Sequence, residues 1–122
     1  MTIEFEHFEK DAYLVATISD TTINLQRAES ILEAINAECQ KTNLRKVLLN
    51  ELTLEKRKIA SHDLHKVSEK MPGIRLAFLC KPHMIDIKAK LLGAFTFTEG
   101  YRAKHFTDEA KAIQWLTSPG RH

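Results

Sequence analysis

Apolar and polar residues change period several times along this chain, and each change marks an element. In residues 2–8, Ile3 and Phe5 face one way and Glu4 and Glu6 the other, which is the alternation of a half-exposed strand. Glu9-Lys10-Asp11 is a short polar turn, and residues 12–19 (Ala-Tyr-Leu-Val-Ala-Thr-Ile-Ser) form a second run rich in strand formers. Two such runs about a tight turn predict an antiparallel hairpin. Asp20-Thr21-Thr22 then supplies turn chemistry, with Thr22 or Asn24 as N-cap of a helix reaching about Lys41. Leu25, Ala28, Ile31, Leu32, Ile35 and Cys39 keep helical spacing along one face, and Thr42-Asn43 ends it.

Residues 46–50 (Lys-Val-Leu-Leu-Asn) read as a short buried strand. Residues 51–58 carry no clear period. In that stretch Lys56-Arg57-Lys58, preceded by Glu55, is the compact basic run of the chain and reads as a solvated helix face. A helix is expected from Ser61 as N-cap, or from nearer Leu54, with Leu64, Val67 and Met71 as its apolar stripe and Pro72-Gly73 as its stop. Residues 74–80 form the most buried strand: Ile74, Leu76, Phe78 and Cys80 fall on one face, Ala77 and Leu79 on the other. A strand apolar on both faces lies in a sheet covered on both. A helix over 84–97 and a strand over 101–106 follow. A last helix is capped by Thr107, with Asp108 and Glu109 in its first turn and Ala112, Ile113, Trp115 and Leu116 inward. The order is β-β-α-β-α-β-α-β-α. It predicts a mixed, mainly parallel five-stranded sheet with an N-terminal hairpin and four helices. One domain over 1–117 is expected, with a disordered tail over 118–122.

The chain's 122 residues suffice for one core without staples. A net charge of +2 is too balanced for a nucleic-acid or membrane-surface binder. No run approaches the length of a membrane span, and the N-terminus has no secretory pattern. Cys39 and Cys80 each sit in an apolar pattern, so two buried thiols in a reducing cytoplasm are expected.

The C-terminal half carries a resemblance. The buried strand at 74–80 is followed by an apolar helix, by Phe97-Thr98-Glu99-Gly100, and by a strand ending at Phe106. The pattern Phe106-x-Asp108-x-x-x-Ala112-x-x-Trp115-Leu116 closes it. This arrangement, with the N-terminal hairpin, the Asp20-Thr21-Thr22 entry and the strand at 46–50, resembles small bacterial proteins of the SpoIIAA-like group, also called STAS/SEC14-domain proteins. The resemblance implies a βα superhelix with helices packed mostly on one side of the sheet. It also implies a non-catalytic, cytoplasmic regulatory domain that binds a protein partner, in some members switched by serine phosphorylation at a helix start. The SEC14 side of the group implies an alternative: a carrier or sensor of a small apolar or anionic, lipid-like ligand. The position matching the phosphoacceptor is Ser61, in Ala60-Ser61-His62-Asp63-Leu64, where no Asp precedes and no Gly follows. A plain N-cap accounts for Ser61 equally well. Thr53 is nearer the strand end and lacks the motif.

Motifs of catalysis are not visible. There is no His-Glu-x-x-His, Cys-x-x-Cys, Walker loop or Gly-x-Ser-x-Gly elbow among the chain's 6 histidines, 2 cysteines and 4 glycines. His62 and His65 share a helix face with Asp63 nearby, but a metal site needs a further converging ligand such as His83 or His105. Glu51 and Asp86 have no inferable partner. The expectation is no enzyme, no cofactor and no metal. The helix over 84–97 stands out: Met84, Ile85, Ile87, Leu91, Leu92, Ala94 and Phe95 cover about half its circumference at about 100° per residue. Lys88 lies within that arc and Gly93 towards the opposite side. Lys88, Leu91, Leu92 and Phe95 therefore mark a well-buried helix, a homodimer or partner interface, or the wall of a ligand pocket with Lys88 at an anionic head group.

Overall fold

The computed structural model describes residues 3–58, 73–84 and 102–118. β1 (Ile3–Phe8) and β2 (Tyr13–Ile18) pair antiparallel, from Ile3 opposite Ile18 to Phe8 opposite Tyr13. The polar turn between them is a 3-10 turn over Glu9–Asp11. It closes on Ala12, which sits in left-handed backbone at φ 59° and donates its N–H to the Glu9 carbonyl at 3.2 Å. β3 (Thr22–Asn24) leads directly into α1 (Leu25–Thr42). Asn24 is the N-cap, its side-chain oxygen accepting from the Arg27 N–H. Asn43, at φ 62°, ends the helix by donating its N–H to the Cys39 carbonyl at 2.8 Å. Asparagine tolerates this left-handed position better than most residues do. The expected apolar stripe is buried from Ala28 to Cys39, whereas Leu25, in the first turn, is left exposed.

β4 (Lys46–Asn50) pairs parallel to β2, β6 (Arg75–Leu79) parallel to β4, and β7 (Arg102–Phe106) parallel to β6. The sheet order is β1-β2-β4-β6-β7, a mixed five-stranded sheet with β4 at its centre. Two short strands stand outside it. β5 (Lys56–Lys58) pairs parallel to β3, so the basic run expected on a helix face is a strand. The cause is a contact distant in sequence: the Thr21 carbonyl accepts from the N–H groups of both Glu55 (2.7 Å) and Lys56 (3.1 Å), laying this stretch along β3.

Every residue of β6 is buried, as its two-faced apolar pattern requires. Leu76 and Phe78 join Leu14, Ala16, Ile18, Val47 and Leu49 against α1. Ala77 and Leu79 join Tyr13 and Leu48 against α2 (Glu109–Thr117), through Ala112, Trp115 and Leu116. The two described helices thus cover opposite faces of the sheet. Strands β4 and β6 are apolar on both faces, and each face needs its own cover. The N-cap of α2 is Asp108 rather than Thr107, its carboxylate accepting from the Lys111 N–H at 3.2 Å.

Arg75 is a buried cation at the start of β6. Its guanidinium lies over the Trp115 ring, 4.4 Å from the centroid, and donates to the Ser118 carbonyl and hydroxyl at 3.2 and 3.4 Å. Ser118, at the junction with the expected tail, therefore caps α2. Two helices are present among the described residues where four were expected; the helix beginning near Ser61 and most of the helix over 84–97 lie outside them. Pro82–Met84, at the start of the latter, forms a 3-10 turn.

Candidate functional site

Strands β2, β4, β6 and β7 run parallel, so their carboxyl ends share one edge. Open parallel sheets place ligand and partner sites at that edge, because the loops after each strand gather there. The segments brought together are those after Ile18, Asn50 and Leu79.

Many of their polar groups hold the loops. Asp20 is buried, and its carboxylate accepts from Arg27 Nε at 2.9 Å and from a terminal guanidinium nitrogen at 3.2 Å. Because Arg27 also donates its backbone N–H to Asn24 Oδ1, one arginine joins the end of β2 to the first turn of α1. The Thr53 hydroxyl lies 3.2 Å from the Ile18 carbonyl and 2.9 Å from that of Asp20, so it pins the loop after β4 to the end of β2. Asn50 Oδ1 accepts from the Leu52 N–H at 3.0 Å. Glu51 is 1% exposed; its N–H donates to the Leu79 carbonyl at 2.8 Å and its carbonyl accepts from the Leu54 N–H at 2.9 Å. Leu54 plugs the loop from inside, while Leu52 is exposed at its tip.

The outer layer of the edge is charged and solvent-facing. Glu55 forms an ion pair with Lys81, just after β6. His83 Nε2 lies 3.0 Å from the Glu55 carbonyl oxygen and 3.8 Å from its carboxylate. The hydrogen bond from Lys81, and then its positive charge, hold the Glu55 carboxyl below its ordinary 4.5. The result is a compact Glu55–Lys81–His83 cluster, and the loop that supplies Glu55 also carries the exposed Leu52.

Both cysteines are buried, and neither is in a disulfide. Burial pushes the Cys39 thiol up to about 11, so it carries no thiolate at neutral pH and is a poor nucleophile. Cys80 donates its N–H to the Phe106 carbonyl at 2.9 Å and places its Sγ 3.7 Å from the same oxygen. Among the described residues no group of three or more His, Cys, Asp or Glu side chains converges as metal ligands would. His105 stacks on Phe78 with ring centroids 4.8 Å apart, and His83 turns to Glu55. No described helix is long and apolar enough to cross a membrane.

The residues singled out from sequence, Ser61, Lys88, Leu91, Leu92 and Phe95, lie outside the described residues, as do His62 and His65. Sequence reasoning did not find the Glu55–Lys81–His83 cluster. Its signal was available in part: Lys81 and His83 directly follow the most buried strand, hence stand at a carboxyl edge. That Glu55 meets them depends on β4 and β6 being neighbours.

No family model matches this chain, and no curated protein does. Among solved structures it is similar to an uncharacterised protein of the DUF3478 family from Shewanella loihica PV-4, described as having a SpoIIAA-like fold. The identity is 18%, the match covers 94% of this chain and 92% of that one, and the TM-score is 0.56. With the mixed five-stranded sheet and its antiparallel first pair, this similarity over nearly the whole length shows that the chain has the SpoIIAA-like fold.

Proposed function

We propose that this chain is a non-catalytic regulatory domain of the STAS type, working by presenting the carboxyl edge of its sheet to a protein partner. The observation that carries this reading is the Glu55–Lys81–His83 cluster, with exposed Leu52 on the same loop as Glu55, on loops pinned by Thr53, Asn50 and the Asp20–Arg27 pair. A charged, solvent-facing patch with an exposed leucine, mounted on fixed loops, suits recognition of another protein, since little ordering remains to oppose binding. The Thr53 hydroxyl is occupied with two carbonyls, so Ser61 is the better candidate for a phosphate switch. Buried Cys39 and Cys80, neither in a disulfide, suit a reducing cytoplasm.

Native mass spectrometry on gently purified protein, paired with affinity capture by wild type and by Leu52→Glu/Lys81→Glu, tests the reading. A protein partner retained stoichiometrically by wild type and lost by the double variant is the expected result. Equal capture by both proteins removes the carboxyl edge from the interface. A stoichiometric small mass released on denaturation replaces the reading with that of a carrier or sensor of a small apolar or anionic ligand.

A further inference from the structure

A second surface lies at the opposite side of the sheet, away from the β6–β7 end. β1 is an edge strand: its inner side pairs with β2 in a regular ladder of 6 residues, without a bulge. Among the described residues no strand pairs with its outer side, and no other backbone-to-backbone bond reaches residues 3–8. An antiparallel strand turns alternate N–H and C=O groups outward, so this edge is a template for one more strand.

The two faces of β1 specify what that strand must carry. On the α1 side, Ile3 and Phe5 pack at the rim of the core and remain only half-buried, and His7 reaches the Glu38 carboxylate at 2.6 Å. On the other side Glu4 and Glu6 are exposed beside Thr17 and Val15. A second copy of β1 fits badly. Antiparallel self-pairing that keeps the faces matched, centred on Glu4, Phe5 or Glu6, sets a glutamate directly opposite a glutamate, and like charges in that position repel. The same two carboxylates favour lysine or arginine opposite them, and the rims of Ile3 and Phe5 favour apolar neighbours.

We propose that the outer edge of β1 binds an extended segment of a partner protein in which basic and apolar residues alternate, added as a sixth strand of the main sheet. The basic residues lie over Glu4 and Glu6, and the apolar ones extend the Ile3–Phe5 rim. Main-chain bonds supply affinity and the alternation supplies specificity. This surface is separate from the carboxyl edge, and the proposal holds whether or not that edge binds a partner.

The test uses the full chain, isotope-labelled, and two capped peptides as long as β1, one alternating valine with lysine and one alternating valine with glutamate. Amide exchange and amide shifts are read residue by residue. The lysine peptide is expected to slow exchange by about tenfold at alternate amides of β1 when near saturation. The glutamate peptide should leave them unchanged. Glu4→Lys/Glu6→Lys, both at exposed positions, should reverse the preference, with the rest of the spectrum showing the fold retained. The proposal is overturned if β1 amides ignore the lysine peptide or respond equally to both peptides. It is also overturned if the free wild-type chain sediments as a dimer with β1 already protected, which would make a second copy the occupant.

Discussion

Ala12 holds a left-handed conformation at φ 59° that glycine adopts without a Cβ clash. Ala12→Gly should therefore raise stability by about 0.5–1 kcal/mol, the Cβ penalty less the entropy of a freer unfolded chain, as read by urea unfolding. Gly73, at φ 81°, is the reverse case: nothing stands near an added Cβ, so Gly73→Ala costs backbone strain alone, about 1–2 kcal/mol. Cys39 bears on pH dependence. Its folded thiol titrates at about 11 against an ordinary 9.0, so both states hold the proton below 9. Between 9 and about 11 the unfolded chain releases it first, and stability falls as pH rises through that window. Cys39→Ala should flatten that part of the alkaline unfolding curve relative to wild type, and a thiol reagent should reach Cys39 only on unfolding.

Two ties act at the scale of elements, and each fixes one end of a helix to the sheet. The Asp20–Arg27 pair fixes the entry of α1 on the end of β2. Asp20→Ala leaves a largely buried guanidinium without its carboxylate and should cost about 3 kcal/mol, with the double variant Asp20→Ala/Arg27→Ala costing less than the sum of the singles. Arg75 does the equivalent for α2, stacking on Trp115 and holding Ser118. A helix of 9 residues is marginal alone, so its order depends on this contact and on burial of Trp115 and Leu116. Arg75→Lys keeps the charge and loses the planar fork; faster amide exchange confined to α2 is the expected result. The basic run at 56–58 shows why period alone misreads a segment of 3 residues: the Thr21 carbonyl, not the pattern, made it a strand.

At the scale of the whole molecule, the described residues form two cores divided by the main sheet, one under α1 and one under α2. Ile35→Ala and Leu116→Ala should each cost about 2–5 kcal/mol in denaturant unfolding. Because they sit on opposite faces without shared partners, their costs should add to within about 0.5 kcal/mol. A clear departure would mean that the sheet transmits strain between its faces. What the sequence determined by itself was what local periodicity encodes: the hairpin, the span and caps of α1, the strand at 46–50, the double-faced burial of β6 and the stripe of α2. Those features need only neighbours a few residues away. Tertiary structure alone decided which face each helix covers, the order of strands, and the β3–β5 pairing. It also decided the meeting of Glu55 with Lys81 and His83, and of Arg75 with Ser118. Each of these joins residues separated by 26 or more positions or chooses between equally apolar surfaces, and one chain's pattern carries no record of which distant partner a residue will meet.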